Sequence, residues 1–479
     1  MIDYILTPKI PAIRASIVSV REKSGSLLFQ NAEISDDSVV DVRCRNGLIE
    51  EVGHSLDPQV QDRVIEANRC ALIPGLHDHH MHLLSLAAQL SSVACGPPEV
   101  RNFDELASAL ESVSGVDWIR GVGYHESVAG DLDRATLDSL CPDRPVRVQH
   151  RSGRLWTLNT QALKELGLDV NGDGQMYRMD DALKDVFPPL DSLREDVSRV
   201  GDHLLSMGVT GVTDATPFND EETRDLIRGL VGSRLRIFLM GNENLSEGPR
   251  KLLIDDYDLP PIESFEGRIA DAHACGRPVA IHCVSRVELV FALSALKAVG
   301  TVPGDRIEHA SVVEEDTLNI MQELDLTVVT QPNFILERGD QYVQDLRSDE
   351  HASLFRLRGL LDAGLRVGGG TDAPFGSCNP WVAMWAAVNR TTRAGRVIGT
   401  REAIDPARAL ELFTTRPESP GGLSRRVGAG EAADLCLLNK PWSCACKDLS
   451  TNHVRLTVVA GDVVYGLKAD QLRGSASNV

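Results

Sequence analysis

Residues 71–84 read ALIPGLHDHHMHLL, and they place His77, His79, His80, His82 and Asp78 within six positions of an otherwise apolar run. Imidazoles bind divalent ions and exchange protons near neutral pH, so the stretch could do chemistry. In an extended strand, positions i and i+2 project to one face, which aims His80 and His82 at a common point suited to a chelated metal ion. Asp78 shares that parity and is expected to support an imidazole from behind. His77 and His79 fall on the opposite face and receive no assignment. With 13 histidines in 479 residues, an isolated HxH pair also arises by chance, so it predicts a metal only in company.

The company stands at the ends of later apolar runs. His282 lies in VAIHCV, His309 in RIEHAS and Asp372 in GGGTDAP. A buried strand accommodates an imidazole or a carboxylate only when a partner offsets its desolvation. Taken singly, each could be a hydrogen-bonded core residue, and Asp372 a helix cap. Converging on one mouth, they predict a metal site.

The elements that must bring them together follow a βα rhythm. Eight apolar runs, at 71–78, 208–214, 234–241, 249–255, 278–284, 305–311, 326–332 and 366–372, each precede a helical stretch. Eight units predict an α/β fold, a (β/α)8 TIM barrel over 71–427 with its chemistry at the carboxyl ends of the strands. The long gap between the first two runs implies a large insertion after the first strand, at about 100–205. Residues 26–70 and 428–466 alternate in short strands with Asn-Gly and Gly turns, and predict that 1–70 and 428–479 form a composite β-sandwich domain, within which residues 1–25 have no clear assignment.

Composition narrows the function. Hydrophobic residues make up 42% and charged residues 25%, as in a soluble enzyme. The net charge of −20 disfavours nucleic acid and anionic membranes as partners, leaving a small-molecule substrate. No apolar run is long enough to span a membrane, and the first residues lack a signal-peptide pattern, so a cytoplasmic location is expected. The ten cysteines lack framework spacing and read as reduced thiols.

The motif set PGLHDHHMH, IHCV, RIEHAS, GGGTDAP and GAGEAADLCLL resembles the amidohydrolase superfamily of metal-dependent hydrolases over about 26–466. WIRGVGYHES, LNTQAL and GPRKLLIDD are most similar to the branch of N-substituted formamide deformylase-like enzymes. The resemblance implies a divalent metal, zinc foremost, with one or two ions per chain and a homodimer as an ordinary assembly. It implies that His80 and His82 hold one ion and that His282 and His309 hold a second. Lys251 then matches a lysine carboxylated by carbon dioxide, whose carbamate bridges both; its alternative is an ion pair with Asp255 or Asp256. Asp372 would touch the metal, take the proton as metal-generated hydroxide attacks a C–N bond of an amide, N-formyl or cyclic amide, and return it to the leaving nitrogen.

Where that branch carries a histidine in the insertion, this chain reads HRSGRLWTLN with Arg154, which could hold a substrate carboxylate or form a surface ion pair. Tyr124, His125, Trp156, Asn333, Phe334 and Trp381 are candidate pocket walls. A second reading within the superfamily is a mononuclear deaminase of a heterocycle or guanidine-like group. Many such enzymes place a glutamate three residues after the fifth-strand histidine, where this chain has Ser285. A third is a non-catalytic barrel with an assembly role, which the filled ligand positions oppose.

Overall fold

The computed structural model describes residues 25–466 except 36–37, 98, 116–117, 178–192 and 348–349. The outer parts of the expected 1–70 and 428–479 domain therefore lie outside the described residues. The chain divides into two compact units: one takes the described residues up to His82 and from Gly201 onward, the other is Leu83–Val200.

In the first unit each expected run contains a strand. These are Leu76–Met81, Val209–Asp214, Arg236–Leu239, Arg250–Leu252, Val279–Cys283, Arg306–His309, Thr327–Thr330 and Arg366–Gly369. Helices follow most of them, and their starts are written locally. Ser285 and Glu288 close a capping box at the head of Arg286–Val299, and Asp220 and Asp405 cap the helices Glu221–Val231 and Pro406–Glu411.

The expected barrel does not close by continuous pairing. The first three strands form one parallel sheet and the other five form a second. At one seam the strand Arg236–Leu239 stops short, and the bridge to the next strand is the isolated pair Gly241–Arg250. At the other, the carbonyls of Leu412 and Phe413 take the amides of Gly369 and His77 at 2.8 and 2.7 Å, so these amides are not available for pairing between the two strands. Backbone hydrogen bonds join the two at their carboxyl ends, where Asp372 N donates to His80 O at 2.8 Å and His82 N to Ala373 O at 2.7 Å.

The first expected run, 71–78, is in fact two elements. Leu72–Pro74 pairs antiparallel with Leu435–Leu438, and Leu76–Met81 begins the parallel core. Pro74 cannot donate to a ladder, and Gly75 lets the chain pass Thr210, whose Cγ2 would lie 2.2 Å from an added Cβ. Leu72–Pro74 belongs to a four-stranded sheet with Leu435–Leu438, Val454–Val459 and Asp462–Gly466. A second four-stranded sheet comes from Ser26–Ser35, Ser38–Arg45, Leu48–Gly53 and Asp62–Glu66. One apolar cluster, including Leu27, Phe29, Leu72, Leu435 and Val458, draws on both. The Asn46-Gly47 turn has φ values of 52° and 79°, as a two-residue hairpin requires.

The unit Leu83–Val200 has its own five-stranded sheet and its own apolar clusters, one around Leu106, Leu137 and Val148 and another around Trp156 and Leu163. All ten cysteines are free. Among the described residues no helix is long and apolar enough to cross a membrane.

The tightest point at the seam is Gly370, where an added Cβ would lie 2.5 Å from His80 Cβ and 2.9 Å from His80 N. Gly370→Ala is expected to lower unfolding stability by about 1–3 kcal/mol. A urea titration checks this, and an unchanged midpoint would show that the seam yields without strain.

Candidate metal centre

His80 lies near the end of the strand Leu76–Met81 and His82 just past it, while Asp372 follows the strand Arg366–Gly369. Nε2 of His80 and Nε2 of His82 face the same oxygen, Asp372 Oδ1, at 3.5 and 3.4 Å. One ligand atom from each of the three residues lies within 4.8 Å of the others, spacing that a single cation could span. His309 joins from the side, its ring centroid 4.8 Å from His80 and 4.5 Å from His282.

The far nitrogens are engaged as well. His80 Nδ1 hydrogen-bonds Glu308 Oε2, His82 Nδ1 bonds Thr216 Oγ1 at 2.9 Å and His309 Nδ1 bonds Gln331 Oε1 at 2.7 Å. Carboxylate and amide oxygens only accept, so the protons of His80 and His309 sit on Nδ1 and their Nε2 lone pairs are free to ligate. Burial pushes the His80 pKa down to about 3, helped by Lys251, and burial lowers that of His309. Both rings are therefore neutral near pH 7.

Asp372 has the left-handed φ of 56°, and His309 and Ala310 have φ values of 71° and 46°. Such angles cost energy for residues bearing a Cβ and persist where the surrounding structure over-determines them. At His309 the angle has a readable effect. Strand alternation would turn Glu308 and His309 to opposite faces, yet both reach His80.

Burial alone would raise the Asp372 carboxyl, but the His82 hydrogen bond and the imidazoles of His309 and His80 hold it below the usual carboxylate range. Lys251, on Arg250–Leu252, is buried and its Nζ has no hydrogen-bond partner. Burial lowers its amine pKa even though Glu308 and Asp372 pull the other way. No ion pair to Asp255 or Asp256 forms, so that alternative is not realised.

Several sequence expectations are redirected. Asp78 does not orient an imidazole: Oδ1 accepts from the amides of His80 and Thr371 at 3.1 Å each, and Oδ2 accepts from Thr371 Oγ1 at 2.5 Å. It fixes the backbone that carries the ligands. Burial pushes its carboxyl up to about 7, against the pull of these donors. Asn333, a candidate pocket wall, is fully buried, and its amide donates to Thr371 O at 3.0 Å. Phe334 is a core residue, and Trp381 is buried with Nε1 on Met207 O at 2.9 Å. His77 and His79 do share a face, their rings 4.7 Å apart, bonded to Thr213 and Thr415 at 2.9 Å each.

The remaining candidates lie in the unit Leu83–Val200. Tyr124 is core rather than wall, packed in an apolar cluster with its hydroxyl on Gly130 O at 2.7 Å. Trp156 is buried under the guanidinium groups of Arg147 and Arg120 at 5.4 and 5.6 Å, a cation–π arrangement. His125 caps the short helix Glu126–Ala129 and stacks on His150 at 6.2 Å. Arg154 is half-buried beside Ser152, whose hydroxyl accepts from its amide at 3.3 Å.

Sequence reasoning overlooked Arg306, Glu308, Thr216, Gln331 and Thr371. Only Glu308 carried a signal, as a carboxylate inside a buried run beside His309.

The sequence profile of the Amidohydrolase family matches residues 63–465. The chain belongs to the amidohydrolase family. An N-substituted formamide deformylase from Arthrobacter pascens is 26% identical over 489 residues, covering 84% of this chain and 90% of that protein. An uncharacterized metal-dependent hydrolase from Pyrococcus horikoshii shares the fold with a TM-score of 0.69 at 20% identity, covering 86% of this chain and 97% of its own. The N-isopropylammelide isopropylaminohydrolase of Burkholderia multivorans does so with a TM-score of 0.55 at 16% identity, covering 91% and 97%. The coarse activity of this amidohydrolase follows from its family: metal-dependent hydrolysis of a C–N bond.

Thr371→Val removes the hydroxyl donor on Asp78 and should cost about 1–3 kcal/mol of unfolding stability, while Thr371→Ser stays near the parent. Equal denaturation midpoints for the two variants would refute the role given to this hydroxyl.

Proposed function

We propose that the protein hydrolyses an amide, N-formyl or cyclic amide bond of a small molecule at the centre formed by His80, His82 and Asp372. The observation that carries this reading is the convergence of two imidazole Nε2 atoms on one Asp372 oxygen, with the His80 proton held on its other nitrogen by Glu308. The donor set fits a divalent ion, since imidazole nitrogens with a carboxylate suit zinc, manganese, iron or nickel. His282 and His309 are the residues we assign to a second ion. A bound divalent metal supplies the Lewis acidity that brings the pKa of water down to about 7 and polarises a carbonyl.

The chain's own residues do the rest. Asp372, ionised at neutral pH, is the acceptor for the proton of the attacking water and delivers it to the leaving nitrogen. The left-handed backbone at residue 372, pinned by the amide bond to His80 O, fixes the carboxylate against both imidazoles. Lys251 is the residue for a bridging carbamate. Its buried amine, which has no hydrogen-bond partner, is biased toward the neutral form, whose lone pair can add to carbon dioxide with loss of one proton, giving an anionic oxygen donor in place of a bare amine. The likeness to an N-substituted formamide deformylase directs the substrate search to N-formyl amines first. A mononuclear deaminase would leave Lys251 without a task.

The test is a screen of N-formyl, N-acyl and cyclic amide compounds on metal-reconstituted protein. On whichever substrate turns over, Asp372→Asn should retain the fold and lose about 100-fold or more in turnover. Retained activity would remove Asp372 from the mechanism. Lys251→Ala should drop metal content from close to two ions per chain toward one, read by elemental analysis. Unchanged occupancy would dismiss the bridge.

A further inference from the structure

The strand Arg306–His309 sends two charged side chains inward, Arg306 and Glu308, and both are almost completely buried. Arg306 Nε donates to Glu308 Oε1 at 2.5 Å, and the other carboxylate oxygen, Oε2, takes His80 Nδ1. Arg306 Nη2 rests on Met240 Sδ at 3.2 Å. Two charges withdrawn from water in this way are rarely retained for stability alone, since an apolar pair of similar volume serves a core as well or better. The arrangement has a direction: arginine to glutamate to imidazole, ending at the nitrogen opposite the one that faces Asp372.

We propose that Glu308, held in place by Arg306, is a positioning residue that locks His80 in the Nδ1–H tautomer and so presents its Nε2 lone pair for metal binding. The inference rests on the reading of His80 as a metal ligand. Glu308 is the acceptor that decides the matter, because a carboxylate accepts but cannot donate, and only the Nδ1–H form of the ring satisfies it. Arg306 holds that carboxylate in place through its Nε bond to Oε1, leaving Oε2 for the ring. A carboxylate behind a ligating histidine also raises the donor strength of the ring, and loss of such a partner typically weakens metal affinity by about 10–100-fold.

The experiment measures zinc and cobalt affinity by competition with a chromophoric chelator, together with the visible spectrum of the cobalt-loaded protein. Two variants are compared with the parent: Glu308→Met, which keeps the length of the side chain and removes the carboxylate acceptor, and the double variant Arg306→Met with Glu308→Leu, which replaces the ion pair by apolar groups. Both should fold by circular dichroism, bind metal about 10–100-fold more weakly and shift the cobalt spectrum. Parent-like affinity and spectrum in the folded fraction of Glu308→Met would overturn the proposal, whatever the variant's stability, because a structural ion pair would change unfolding and leave metal binding intact. If the double variant does not fold, Glu308→Met alone decides. A parent protein that binds neither ion would instead sink the metal-centre reading itself.

Discussion

Two backbone hydrogen bonds, from Asp372 N to His80 O and from His82 N to Ala373 O, join the end of the last parallel strand to the first. The side chains can converge only because these main chains do. The seam is otherwise interrupted by Leu412 and Phe413, so the join is confined to the stretch that bears the candidate ligands. Asp78 reinforces it by gathering the amides of His80 and Thr371 onto one carboxylate oxygen. Gly370 permits the approach, and Asn333 holds the Thr371 carbonyl from below. Each of these contacts spends a buried polar group on backbone geometry, and that geometry sets the separation of the imidazoles from Asp372.

The charge distribution around the join is as constrained as the shape. Asp78, Lys251, Arg306, Glu308 and Asp372 are all buried. Each would be costly alone, but most are matched. Arg306 offsets Glu308, Glu308 accepts from His80, and Asp78 has three donors. Lys251 is the exception, a buried amine with no hydrogen-bond partner.

Much of this was legible in the sequence, for reasons that differ by residue. The eight runs were readable because buried parallel strands are continuous apolar segments ended by glycine or polar residues. His80 and His82 stood out because imidazoles are rare in such segments, and their pairing followed from the two-residue period. The same period misled at Asp78, whose parity is right but whose carboxylate turns to backbone amides, a choice that local pattern does not encode. It also concealed Glu308, because alternation allowed only one of Glu308 and His309 to face inward and the left-handed backbone at His309 admits both. The packing of the aromatic candidates was open in the sequence for a simpler reason. Tyr124, Phe334 and Trp381 are large apolar groups, and burial in a core satisfies them as well as any pocket. Open seams were invisible too, since whether the Gly369 amide bonds the first strand or Leu412 depends on residues far along the chain.

The short strand Leu72–Pro74, paired with Leu435–Leu438, leads through Gly75 directly into the strand that carries His80. During synthesis on a ribosome this has a definite consequence. The two HxH imidazoles emerge early, yet Asp78 must wait for Thr371, 293 positions later, and Leu72 for a partner beyond that. Contacts of such separation form slowly, because a long loop must close before they repay its entropy. A histidine-rich apolar segment is therefore left without its native partners until those late residues have emerged, and apolar surface exposed in that way is prone to aggregate.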